Sequence, residues 1–96
     1  MVPPELLEEV FELNMQLQEL KMGERDPETV KGLQASRDAF AGKLRALDEE
    51  LKAEWAEWDR ADAERRLGVR DRMVGLLNRR NYLRNLVRDV NQALEA

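Results

Sequence analysis

Side chains that could perform catalysis or bind a metal are scarce in this chain. Its 96 residues include no His and no Cys, which leaves carboxylates, Lys, Ser and one Tyr for polar chemistry. Thiolate or Cys/His zinc sites, Ser-His-Asp catalysis and His-based acid–base chemistry are therefore excluded. The remaining polar residues form no recognisable active-site arrangement. The sequence predicts a protein that is not an enzyme and that uses no metal and no cofactor.

The part of the sequence that is most informative about function is the apolar stretch PELLEEVFELNMQLQELKMG, residues 4–23. It holds more large apolar side chains than one face of a helix can bury: Leu6, Leu7, Val10, Phe11, Leu13, Met15, Leu17, Leu20 and Met22. The function of this stretch depends on the elements that position it.

The composition predicts an all-α fold. Hydrophobic residues make up 43% of the chain and charged residues 38%, with five Gly and three Pro, and no strand-like alternation is visible. Helices are expected at about 4–22, 27–58 and 60–95 in a single domain, residues 1–96. Because the connections are short, we expect an antiparallel three-helix bundle in which one short helix packs on a long helical hairpin.

Capping signals and apolar spacing support these helices. Gly23 is a C-terminal cap and Asp26-Pro27 is a strong helix start. Asp59 could cap the third helix, with Asp62 three residues later in an arrangement like a capping box. The expected apolar positions of the second helix are Val30, Leu33, Phe40, Leu44, Leu47, Leu51, Trp55 and Trp58. Those of the third are Val69, Met73, Leu76, Leu83, Val87, Val90 and Leu94.

The first helix carries two apolar stripes. At about 100° per residue, Leu6, Val10, Leu13, Leu17 and Leu20 share one side and form a complete core seam. Leu7, Phe11, Met15 and Met22 lie on the side and back of the same helix. Glu8, Glu12 and Glu19 border this second stripe. Three interpretations stay open: a partner-binding patch, a homodimer interface, or burial of both stripes in a groove between the other helices.

Charge is divided unevenly along the chain, whose net charge is −4. Residues 1–59 hold seven Lys/Arg against fifteen Asp/Glu, whereas residues 60–96 hold nine Arg against five Asp/Glu. Complementary faces within the bundle are the simplest explanation. An RNA-binding third helix using Arg79, Arg80, Arg84 and Arg88 is the alternative, and the acidic balance with a lone Tyr82 disfavours nucleic acid as a partner.

LLEEVFELNMQLQEL and the later LLNRRNYLRNLVRDVNQALE resemble the C-terminal domain of the HscB co-chaperones over essentially the whole chain. The resemblance implies a domain that holds the iron–sulfur scaffold protein IscU for a DnaK-class chaperone. Carried over by position, the docking residues are Leu7 and Phe11 with the acids Glu12 and Glu19. Tyr82 matches the aromatic of the last helix. Glu8 stands where Met is common in the family, and Met15 where an acid is common.

The resemblance also sets limits on the expected activity. Family members carry a J-domain whose His-Pro-Asp loop stimulates the chaperone's ATPase, and this chain has no His. We therefore expect no J-domain here and only an indirect link to the chaperone. No apolar run is long enough to span a bilayer and no signal peptide is visible, so a soluble intracellular protein is predicted. The resemblance implies the bacterial cytoplasm. The alternative function is a self-associating coiled-coil protein outside iron–sulfur assembly.

Overall fold

Helices account for almost all of the residues described by the computed structural model of this chain, which are 2–23 and 25–95. A single 3₁₀ turn, Pro4–Leu6, leads into α1, Leu7–Lys21. The next two helices are α2, Pro27–Arg60, and α3, Ala63–Glu95. Neither described range contains a β-strand. The all-α prediction is confirmed, and each helix ends within three residues of its expected position.

The architecture is a long hairpin with a short helix along part of it. A two-residue connection joins α2 to α3, and the molecule measures 55 × 20 × 18 Å. The 15 residues of α1 extend roughly 22 Å, so α1 covers less than half of the hairpin. Glu5 pairs with Arg79 at 3.0 Å and Glu9 with Lys43 at 3.5 Å, which fixes where α1 begins along α2 and α3. The predicted antiparallel three-helix bundle is confirmed.

The core divides according to how many helices contribute to it. Where α1 is present, all three helices supply the larger cluster of buried residues: Leu6, Val10, Leu13, Leu20, Leu33, Phe40, Leu47, Leu83, Leu86 and Val90. Where α1 is absent, a smaller cluster of Leu51, Val69 and Met73 is closed by Trp58 and Leu76. A three-helix core in one half and a two-helix core in the other thus follow from the length of α1.

Two positions of the predicted core are corrected by the structure. Trp55 was expected to be buried, but 56% of its surface is exposed. It lies seven residues after Asp48, on the flank of α2 where Asp48 pairs with Arg80, and about 120° around α2 from Lys43, which faces α1. Leu86, which was not among the expected core positions, is buried in the larger cluster. Trp58 packs against the smaller cluster, as predicted.

The start of α2 and the end of α1 follow their sequence signals. The backbone N–H of Thr29 donates to Asp26 Oδ1 at 2.7 Å, and this bond holds the pKa of the Asp26 carboxyl below its usual value. Gly23 has a φ of 91°, a left-handed conformation that suits Gly after a helix. Both caps are confirmed.

The start of α3 differs from the prediction. Asp59 lies within α2, whereas Asp62 caps α3 by accepting a hydrogen bond from the backbone N–H of Arg65 at 2.9 Å. Next to this cap, the Arg66 guanidinium lies 4.9 Å from the Trp58 ring centroid, and its Nε donates to the Trp58 carbonyl at 3.1 Å. The hairpin turn is therefore held by a cap and by a cation–π contact.

We expect Asp62→Ala to lower the free energy of unfolding by about 1 kcal/mol, because it removes the acceptor for an otherwise unpaired N–H at the start of α3. Chemical denaturation followed by circular dichroism measures the change. Asp59→Ala, which removes the same charge from inside α2, is the control and should change stability by less than about 0.5 kcal/mol. Equal losses from the two variants would contradict the assignment of the cap.

Candidate protein-binding surface on the first helix

Four large apolar side chains on α1 and at its C-terminal end face water. We call them the outer strip: Leu7, Phe11, Met15 and Met22. Their exposed fractions are 55%, 67%, 52% and 73%, respectively. Successive members are four or seven residues apart, so they lie along one side of the helix. This is the second stripe of the sequence analysis, and it is open to solvent.

The opposite side of α1 is buried in the bundle. Val10 and Leu13 are 3% and 0% exposed, and Phe11 lies about 200° around the helix from Leu13. The interpretation in which both stripes are buried between α2 and α3 is therefore wrong. The second stripe is exposed because α1 rests on top of the groove between α2 and α3 and buries only the seam that points into this groove.

Close packing against α2 fixes the rotation of α1 about its axis. Ser36 Oγ donates to Gln16 Oε1 at 3.0 Å. Gly32 leaves room for the same side chain, since a Cβ at Gly32 would lie 3.1 Å from Gln16 Nε2. This contact and the Glu9–Lys43 ion pair lie on the α2 side of α1. The outer strip is consequently presented on the other side, toward α3.

The acidic residues that border the outer strip are exposed. Within residues 2–23 and 25–95, Glu8, Glu12 and Glu19 take part in no ion pair of 4 Å or less. Glu12 also lines an open groove between α1 and α2 of about 540 Å³, together with Glu9 and Phe40. The strip therefore has an acidic edge available to positive charge on a partner.

The structure places Tyr82 near the outer strip but does not leave it fully exposed. Its side chain is half-buried and packs against the larger core cluster. Arg79, one turn earlier on α3, pairs with Glu5, so Tyr82 lies on the side of α3 that faces α1. Because α1 and α3 run in the same direction, Tyr82 lies at about the level of Glu8 along the bundle axis. This level falls between those of Leu7 and Phe11.

Comparisons with known protein families, with curated proteins and with solved structures found no match. The resemblance to the HscB C-terminal domain therefore stays a prediction. Among the described residues, no group of acidic side chains is arranged to hold a metal ion, and none of their helices is long and apolar enough to cross a membrane. The candidate site is the outer strip, an exposed apolar surface with an acidic edge.

A second set of exposed apolar residues was not identified from the sequence. Leu67, Val74 and Leu77 on α3 are 54%, 49% and 48% exposed, in the half of the hairpin that α1 does not cover. Their signal is present in the sequence, since all three fall outside the three- and four-residue repeat of the α3 core. They are spread over eleven positions, so they form a sparser surface than the outer strip.

The arginines of α3 pair mostly with acids of this chain. Arg79 pairs with Glu5, Arg88 with Asp89 at 3.3 Å, and Arg80 with Asp48 at 2.7 Å. Three of the four arginines considered for RNA binding therefore have an acidic partner within the protein, although Arg88 and Asp89 both lie on α3. The pairs of Arg79 with Glu5 and of Arg80 with Asp48 join the basic helix to acidic segments, as the simplest explanation of the charge distribution predicts.

Proposed function

We propose that this chain is a non-catalytic protein-binding domain that docks its partner on the outer strip of α1. The observation that supports the proposal is the contrast between the two sides of one helix, where Leu13 is fully buried and Phe11 is 67% exposed. Leaving a Phe, Leu or Met side chain in water forgoes roughly 1.5–3 kcal/mol of burial free energy. Contiguous exposed residues of this type mark interaction sites.

The partner we propose is an iron–sulfur scaffold protein of the IscU type, held for hand-over to a DnaK-class chaperone. Three features support this choice: the resemblance of both terminal helices to the HscB C-terminal domain, the exposure of Leu7 and Phe11, and the acidic edge formed by Glu12 and Glu19. The domain would act by binding alone.

A titration with a purified bacterial IscU-type scaffold protein tests the proposal. We expect the largest backbone amide shifts in residues 7–22 and around Tyr82, while the connection at Ala61 and Asp62 stays unchanged. Amide shifts are preferable to Trp fluorescence because Trp55 and Trp58 lie at the far end of the hairpin. The absence of any shift at saturating scaffold protein, or shifts confined to the far end, would overturn the proposal.

The mass in solution separates this function from self-association. A partner-binding domain is expected to be monomeric at low micromolar concentration. A stable dimer that is lost in Phe11→Ala or Met15→Ala would favour the alternative, a self-associating structural protein that uses the same strip.

A further inference from the structure

The arginines of α3 avoid one side of that helix. All eight arginines between Ala63 and Glu95 fall within about 180° of arc around its axis. The other side holds a row at spacings of four, three, four and three residues: Asn78, Tyr82, Asn85, Asp89 and Gln92. Three of its five members are amides. We call this set the amide row.

The amide row lies beside the outer strip. Arg79, next to Asn78, pairs with Glu5 at the start of the chain. Farther along, three residues of α3 and three of α1 line one shared groove: Asp89, Gln92 and Ala93 with Asn14, Leu17 and Lys21. With α1 and α3 parallel, Asn85 lies at about the level of Phe11. Asn78 and Asn85 are both exposed, so the amides and the outer strip are open to solvent on neighbouring helices at the same level.

Amide side chains are suited to a partner's backbone. Each Asn offers a carbonyl acceptor and an NH₂ donor, which complement the N–H and C=O groups of a peptide chain. Asn78 and Asn85 are separated by roughly 10 Å along the helix axis, a distance that about three residues of extended chain span. The amide row itself contains no arginine, and its one acid, Asp89, already pairs with Arg88, whereas Glu12 at the α1 edge takes part in no ion pair within residues 2–23 and 25–95. This charge suits a neutral or basic segment.

We propose that the docking surface continues from α1 onto α3, and that Asn78 and Asn85 hydrogen-bond the backbone of an extended, neutral or basic segment of the partner. An apolar side chain of the same segment then rests on Leu7 and Phe11. The inference rests on the proposed function, since it assigns the partner segment and two further specificity residues to the same surface.

The double variant Asn78→Ala/Asn85→Ala tests whether the two amides bind the partner's backbone, with the IscU-type scaffold protein as the probe. We expect binding to weaken on the order of tenfold, because two hydrogen bonds are lost. Ala is a better helix former than Asn, so the melting temperature should be equal or higher and misfolding cannot explain the loss. In the wild type, the side-chain NH₂ signals of both residues should shift on titration.

Gln34→Ala is the matched control. Gln34 is an exposed amide on α2, nine residues before Lys43 and therefore about 180° around α2 from the side that faces α1. It should bind like the wild type. If Phe11→Ala weakens binding while the double variant stays within twofold of the wild type, the amide row is not part of the surface. If neither variant weakens binding, the proposed function fails as well.

Discussion

Phe11→Ala is expected to weaken binding of the scaffold protein about thirtyfold or more without destabilising the domain. Phe11 lies near the centre of the outer strip and is 67% exposed, so its ring is available as an anchor for a partner. Truncating such an aromatic anchor costs about 2 kcal/mol or more in binding. In the free domain the ring makes few contacts, and Ala favours the helix. The dissociation constant and the free energy of unfolding should be measured on the same samples.

Leu77→Ala is the control for this prediction. Leu77 is also an exposed apolar side chain on a helix, but it lies about 140° around α3 from Tyr82 and therefore away from the side that faces α1. Its removal should leave binding within about twofold of the wild type. If both variants weaken binding equally, the effect reflects general hydrophobic contact and not a site. A loss of stability of about 2 kcal/mol in Phe11→Ala would instead indicate that the ring is buried.

Tyr82→Ala is a weaker test of the same surface. The resemblance to the HscB C-terminal domain makes Tyr82 a docking residue on the last helix, but its ring is half-buried and packs against the larger core cluster. Truncation would remove core contacts together with any partner contact, so a loss of binding could follow from either cause. Tyr82→Phe, which keeps the packing, reports only on the hydroxyl group.

Local signals in the sequence were sufficient for most of the fold. The spacing of Val10, Leu13 and Leu20 placed the seam of α1, and Asp26-Pro27 marked the start of α2 because a cap and a fixed φ angle act within one turn. The start of α3 was misassigned because Asp59 and Asp62 offer the same capping chemistry. Only the hydrogen bond from Arg65 distinguishes them, and it depends on where the chain turns.

Burial that depends on another helix was harder to predict. Trp55 occupies a seam position of α2, yet it is exposed because it lies at the edge of the seam, on the flank of α2 that faces away from α1. The spacing of apolar residues reports which side of a helix points inward, but not whether a third helix covers that side. For the outer strip, too, the sequence does not show whether another helix covers the apolar side chains. A broad apolar arc fits a deeply seated helix as well as an exposed site, and the depth of α1 in the groove decides between them.

Whether α3 contributes to the docking surface depends on how α1 and α3 are positioned relative to each other. Asn78 and Asn85 are ordinary polar residues in the sequence, and no local rule links them to Phe11, more than sixty positions earlier. The Glu5–Arg79 pair sets the register that brings them to one face. Sequence patterns could therefore identify the apolar half of the surface, whereas its polar half required the packed bundle.

Leu13→Ala should give the opposite result to Phe11→Ala, with a loss of about 2–5 kcal/mol in the free energy of unfolding. Leu13 is 0% exposed in the cluster that all three helices share, so truncation removes burial and leaves a cavity. A domain of this size has roughly 5–15 kcal/mol of stability, and the melting temperature should fall by about 10 °C or more. At low temperature, where the variant is still folded, its binding should approach that of the wild type because the outer strip is unchanged. Equal stability losses in Leu13→Ala and Phe11→Ala would contradict the assignment of one side of α1 to the core and the other side to partner binding.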